Sequence, residues 1–147
     1  YFAAFSGLAH YLILVKAEAA RRGYTETYFG RRRYFEGLKS SLPFIRAAAE
    51  RMAINAPIQG TAADIIKIAM VEADHVIEKA GWRDAARLVM QVHDELVYQV
   101  DEDKAEEIAR SIKGTMETVV LPEKIHGVPL VAEAKIGKNW ADMEKLH

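Results

Sequence analysis

Arg87-Leu88-Val89-Met90-Gln91-Val92-His93-Asp94-Glu95-Leu96-Val97-Tyr98-Gln99-Val100 is two apolar runs separated by a polar triplet. In the first run Leu88, Met90 and Val92 alternate with Val89 and Gln91, the period of two expected of a half-buried strand. The second run, Leu96 to Val100, is short and β-branched or aromatic, so the pair predicts a β-hairpin. His93-Asp94-Glu95 is an unusual junction, because turns favour Gly, Asn and Pro. An imidazole and two carboxylates there either form a solvated polar turn or hold a hard cation, since Mg²⁺ takes one or two carboxylates together with substrate phosphates. Zinc suits the triplet poorly: His93 and Asp94 are adjacent, and no second cluster has ligand spacing.

Upstream of the hairpin, Ala62, Ile65, Ile66, Ala69, Met70, Ala73, Val76 and Ile77 keep one apolar stripe as far as Gly81, which predicts a helix over roughly 58–80. Small Ala and Gly residues at its start admit close approach of another backbone. Asn55-Ala56-Pro57 is expected to separate it from an earlier helix that Ser40, Ser41 and Pro43 open and that runs to about Ile54. Residues 23–35, aromatic and β-branched between Gly23 and Gly30, predict a short β-ribbon or loop with a cationic tip. Leu12, Ile13, Val15 and Ala19 mark a helix from Leu8 to Arg22, capped by Gly23. Downstream, Asp103 lies three residues before Glu106, a capping-box-like start to a helix reaching about Val119. Val128 to Ile136 alternates and is expected to be a strand pairing with the hairpin, Pro129 favouring an edge or a strand start. The fold class is thus α+β, helices packed on a small antiparallel sheet. Residues 1–147 read as one unit, helical over about 1–80, with the hairpin, a helix and a C-terminal strand over about 81–147.

A chain of 147 residues, 50% hydrophobic and 28% charged, fits one globular domain and excludes disordered, collagen-like and coiled-coil classes. It has no Cys, which removes disulfide frameworks and thiolate zinc sites and suggests a reducing compartment. No run approaches the length of a membrane span. With neither an initiator Met nor the plan of a signal peptide, the start reads as the interior of a longer chain. The net charge of −1 conceals a division. Residues 1–51 hold nine Lys/Arg against four Asp/Glu, and residues 52–147 hold eleven against seventeen, giving +5 and −6. The basic half suggests a phosphate-bearing partner, because clustered Lys/Arg release counterions from nucleic acid.

Two further groups could carry function. Arg46, Glu50, Arg51, Asn55 and Gln59 contain donors spaced by four, which share a face if one helix runs through them. Such a row can reach minor-groove acceptors or sugar and phosphate oxygens; its plainer alternative is an exposed polar stripe with Glu50 paired to Arg46. Arg31, Arg32 and Arg33, beside Tyr28, Phe29, Tyr34 and Phe35, suit phosphate contact and base or sugar packing, or else form a solvated charge run. His10, His75, His126 and His147 stand alone and read as structural or exposed.

The strings Glu50-Arg51-Met52-Ala53-Ile54-Asn55-Ala56-Pro57-Ile58-Gln59-Gly60-Thr61-Ala62-Ala63-Asp64-Ile65-Ile66-Lys67 and Gln91-Val92-His93-Asp94-Glu95-Leu96-Val97, in this order and spacing, resemble the C-terminal part of family A DNA polymerases. The segment Gly23 to Arg33 resembles the part of that family just upstream. The resemblance implies a polymerase palm with adjoining fingers helices, acting by template-directed nucleotidyl transfer. It implies that Asp94 is one of two carboxylates holding a catalytic Mg²⁺ pair, with His93 and Glu95 placing the primer terminus. Arg51, Asn55 and Gln59 would contact the primer-template minor groove, with Arg46 among the DNA-binding residues and Arg31 and Arg32 on duplex backbone or nearby structure. The implied partners are primer-template DNA, dNTP and an upstream polymerase segment, with no membrane. The implied location is the cytoplasm, on the nucleoid in a bacterium. The family's other metal-binding Asp, in a strand of the type Asp-Tyr-Ser-Gln-Ile-Glu, is absent, as are its nucleotide-gripping fingers helix and any nuclease module. Ile45 stands where the family often has Arg, and Phe35-Glu36-Gly37 lacks its Pro. The expectation is a chain inactive by itself. A non-catalytic nucleic-acid-binding module on the same scaffold is the competing reading, and a phosphohydrolase using His93-Asp94 a more remote one.

Overall fold

The apolar face of Leu12, Val15 and Ala19 turns inward on α1 (Ser6–Arg22) in a computed structural model that describes residues 5–146. Ile13 falls off that face and is 67% exposed. Gly23 ends the helix as expected: its φ of 81° suits a residue without Cβ, and its N–H returns to the Ala19 carbonyl at 2.8 Å. The expected ribbon follows as β1 (Tyr24–Glu26) antiparallel to β2 (Arg32–Tyr34), with Glu26 opposite Arg32 and Tyr24 opposite Tyr34. A single 3-10 turn, Glu36–Lys39, leads on to α2 (Pro43–Lys79). Pro43 opens that helix, where its missing N–H leaves no bond unmade.

The predicted break at Asn55-Ala56-Pro57 does not occur, and α2 runs unbroken through Pro57 for 37 residues. An interior proline removes one backbone bond and crowds the preceding turn, at about 3 kcal/mol. Burial offsets it: Ala49, Ala53 and Ala56 lie in one apolar cluster with Ala19, Phe35 and Leu38.

The described residues divide into two compact units, 1–64 and 65–147, and the alanine cluster is the core of the first. In the second, Ala73 and Ile77 from the predicted stripe pack with Ala85, Ala86, Ile108 and Ile112, flanked by Trp82, Tyr98, Val100 and Met116. The expected hairpin is there as β3 (Ala86–Val92) and β4 (Glu95–Val100), with a bulge at Val89 between the Leu88 and Met90 pairings. Val89, left without a partner in the ladder, is 59% exposed. The α3 helix (Ala105–Thr118) buries Ala105, Ile108 and Ile112 at spacings of three and four. Its start corrects the capping-box reading. Residues Glu102–Lys104 make a 3-10 turn, no side chain caps the helix, and Glu106 instead pairs with Arg110 at 2.7 Å.

The strand expected over Val128–Ile136, paired with the hairpin, does not form. Only Lys135–Ile136 (β5) is strand, and it pairs antiparallel with Glu144–Lys145 (β6), not with the hairpin. Upstream of it Val128 and Val131 are exposed, and the Ala132 N–H donates to Glu117 Oε1 at 3.1 Å. The α+β class therefore holds, with the antiparallel structure of the described residues divided among three two-stranded ribbons.

Candidate functional site

The acidic turn is tighter than a triplet. Val92 pairs with Glu95, so the loop is two residues, His93 and Asp94, and Glu95 already belongs to β4. Two-residue hairpin loops need φ > 0 at the first position and favour Gly, Asn or Asp. Here His93 takes that position with φ 52°, a conformation that strains a side chain bearing Cβ. The Gln91 side-chain amide donates to the His93 carbonyl and closes the turn from below. Asp94 is thereby lifted to an exposed tip between His93 and Glu95, both also exposed. Its carboxylate offers the hard oxygen donors that Mg²⁺ takes. Among the described residues no three His, Asp or Glu side chains gather as a metal-holding group, so this chain's own residues do not fit a two-ion site by themselves.

The donor row gains from the continuity of α2. Arg51, Asn55 and Gln59 stand on successive turns of one helix, all exposed and off the face of buried Ala49, Ala53 and Ala56. None of the three side chains forms a hydrogen bond or ion pair within the described residues, so their donors are unspent. The plainer pairing of Glu50 with Arg46 is not formed. Glu50 meets Lys16 of α1 at 2.8 Å, and Arg46 Nη1 donates to the Ser40 carbonyl at 3.2 Å.

The three arginines of the ribbon are held within the fold. Arg31 Nε donates to Asp64 Oδ1 at 2.7 Å, and its Nη2 donates to the Gly60 carbonyl at 3.0 Å. Arg32 pairs with Glu26 at 2.7 Å and lies 4.8 Å from the centre of the Tyr24 ring. Arg33 stacks at 5.4 Å over Phe35. Asp64, Glu26 and Lys16 are the partners that a reading by composition missed; Asp64 lies 33 positions from Arg31, beyond the reach of local spacing. At Gly60 the close approach is of side chains and not, as expected, of another backbone: a Cβ there would come within 2.6 Å of Thr27 Cγ2.

The first unit thus carries the donor row and the arginine ribbon, and the second carries the acidic turn. A family model described as DNA polymerase family A matches residues 1–142, and the chain belongs to that family. It is 46% identical over 140 residues to DNA polymerase I of Pseudomonas aeruginosa, a match covering 95% of this chain and 15% of the relative. It is 44% identical over 140 residues to the thermostable DNA polymerase I of Thermus aquaticus, covering 95% of this chain and 16% of that protein. Among solved structures, the POL domain of Pol1 from M. smegmatis in complex with DNA primer-template and dNTP superposes with a TM-score of 0.77. That match has 47% identity over 82% of this chain and 21% of the other. The chain thus spans about 15% of the length of the Pseudomonas relative. Among the described residues no helix is long and apolar enough to cross a membrane.

Proposed function

We propose that this chain is the C-terminal part of a DNA-directed DNA polymerase domain whose reaction is template-directed nucleotidyl transfer of the two-metal type. In this reading Asp94 supplies one carboxylate to a Mg²⁺ pair, and a second Asp comes from the preceding part of the domain. His93 and Glu95 flank the primer terminus. Arg51, Asn55 and Gln59 lie along the minor groove of the primer-template duplex, with Arg46 near them on the same helix, and dNTP is bound chiefly by the preceding part. The chain alone is inactive, and the complete protein works on DNA in the cytoplasm. The observation that carries the reading is the unspent row on α2, three outward donors on consecutive turns in a chain of this family.

Duplex binding by the purified chain tests the row. Arg51→Ala weakens binding and flattens the dependence of log affinity on log salt by about 0.9, the share of one phosphate-neutralising cation. Gln59→Ala and Asn55→Ala, which remove neutral donors, weaken binding with the salt slope unchanged. Variants that bind as the unaltered chain does would reduce the row to a solvated polar face.

A further inference from the structure

We infer that Arg31 is a positioning residue: a brace that clamps the β1–β2 ribbon onto the middle of α2 and so fixes Gln59, in place of a contact to phosphate. This rests on the reading of the α2 row as a duplex-contacting face. Arg31 spends two of its N–H groups on α2, one on Asp64 and one on the Gly60 carbonyl. The Asp64 side chain is only 12% exposed, so its carboxylate depends on the guanidinium more than a surface acid would. One further hydrogen bond crosses the same joint, and two more fix the groups on its two sides. The Tyr28 N–H donates to Thr61 Oγ1 at 2.9 Å, and that hydroxyl donates onward to the Pro57 carbonyl at 2.6 Å. Thr27 Oγ1 accepts the Arg31 N–H at 3.2 Å, which fixes where the guanidinium starts. The missing Cβ of Gly60 lets buried Thr27 sit against the helix. Gln59 immediately precedes Gly60 and, with Thr25, Thr27, Arg31, Arg33 and Gly60, lines the cavity of about 220 Å³ between ribbon and helix. The clamp therefore holds together the two walls of the cavity that Gln59 lines.

A brace and a phosphate contact leave different signatures. If Arg31 braces, Arg31→Ala lowers primer-template affinity of the full chain about threefold to tenfold with the salt slope unchanged. Asp64→Asn then gives a similar loss, and the double variant is no worse than either single one, because both remove one interaction. Gly60→Ala, which pushes Thr27 away, reproduces the effect without touching a charge. Arg31→Lys recovers part of the loss, since an ammonium can meet Asp64 but lacks the fork that also reaches Gly60. A slope that falls by about 0.9 in Arg31→Ala, with Asp64→Asn binding normally, overturns the brace in favour of a phosphate contact. Hydrogen exchange separates this outcome from failure of the duplex reading. In DNA-free protein the Tyr28 amide loses protection in Arg31→Ala and Asp64→Asn if the brace exists, and unchanged protection overturns it whether or not the chain binds DNA.

Discussion

His93 holds a left-handed backbone conformation at the tip of the hairpin. Its φ of 52° costs a non-glycine residue roughly 1 kcal/mol, and the Gln91 amide closes the turn around it. His93→Gly is expected to stabilise the hairpin by less than about 1 kcal/mol in urea unfolding, because the entropy glycine adds to the unfolded chain offsets part of the relieved strain, while lowering activity of the assembled polymerase. Unchanged or reduced stability would mean that the turn holds no strain beyond that offset. Tyr98 gives a second residue-scale prediction. Burial first, and the Asp74 carboxylate second, push its hydroxyl from the ordinary 10.0 up to about 12. The unfolded chain ionises Tyr98 at the lower pH, so the stability linked to it is complete below pH 10.0 and is lost as pH rises toward about 12. Tyr98→Phe removes that part of the alkaline loss, and an identical alkaline unfolding curve for the variant would contradict it. Both acid and imidazole of the turn were legible as residue types, but the φ of His93 was not, because sequence shows which side chains meet a turn and not which one takes its left-handed position.

At the scale of elements, local rules succeeded where the apolar pattern and its boundary residues agreed. Gly23 ended α1, Pro43 opened α2, and the alternating runs about His93-Asp94 made the hairpin. They failed where packing or pairing decided. Pro57 reads as a breaker from its own chemistry, yet burial of Ala49, Ala53 and Ala56 carries α2 through it. Pro57→Ala is therefore expected to stabilise the chain by about 1–3 kcal/mol in thermal or urea unfolding. A loss of stability would show that the proline shapes the helix to its core. Val128–Ile136 alternates as a strand should, but alternation assigns faces and names no partner, and most of the segment is without strand pairing. The arginine ribbon was legible as a cationic tip, whereas its acceptors Glu26 and Asp64 follow from the fold.

Across the whole chain the charge division acquires a structural boundary. Residues 1–64 carry nine Lys/Arg against five Asp/Glu and coincide with the first compact unit, while residues 65–147 carry eleven against sixteen. Part of the basic excess is spent inside the unit, on Asp64, Glu26, Glu50 and Glu18, and Arg51 makes no ion pair among the described residues. The candidate site is therefore half legible from composition: the sign of the surface is, and the choice of which cations face outward is not. The proposed role of Asp94 is to serve a polymerase active site completed by the preceding part of the domain. Primer extension with dNTPs and Mg²⁺ measures it most directly, using this chain with and without that preceding segment added in trans. The expected outcome is no extension by the chain alone, extension when both parts are present, and its loss in Asp94→Ala. Extension by the chain alone, or by the pair carrying Asp94→Ala, would contradict it.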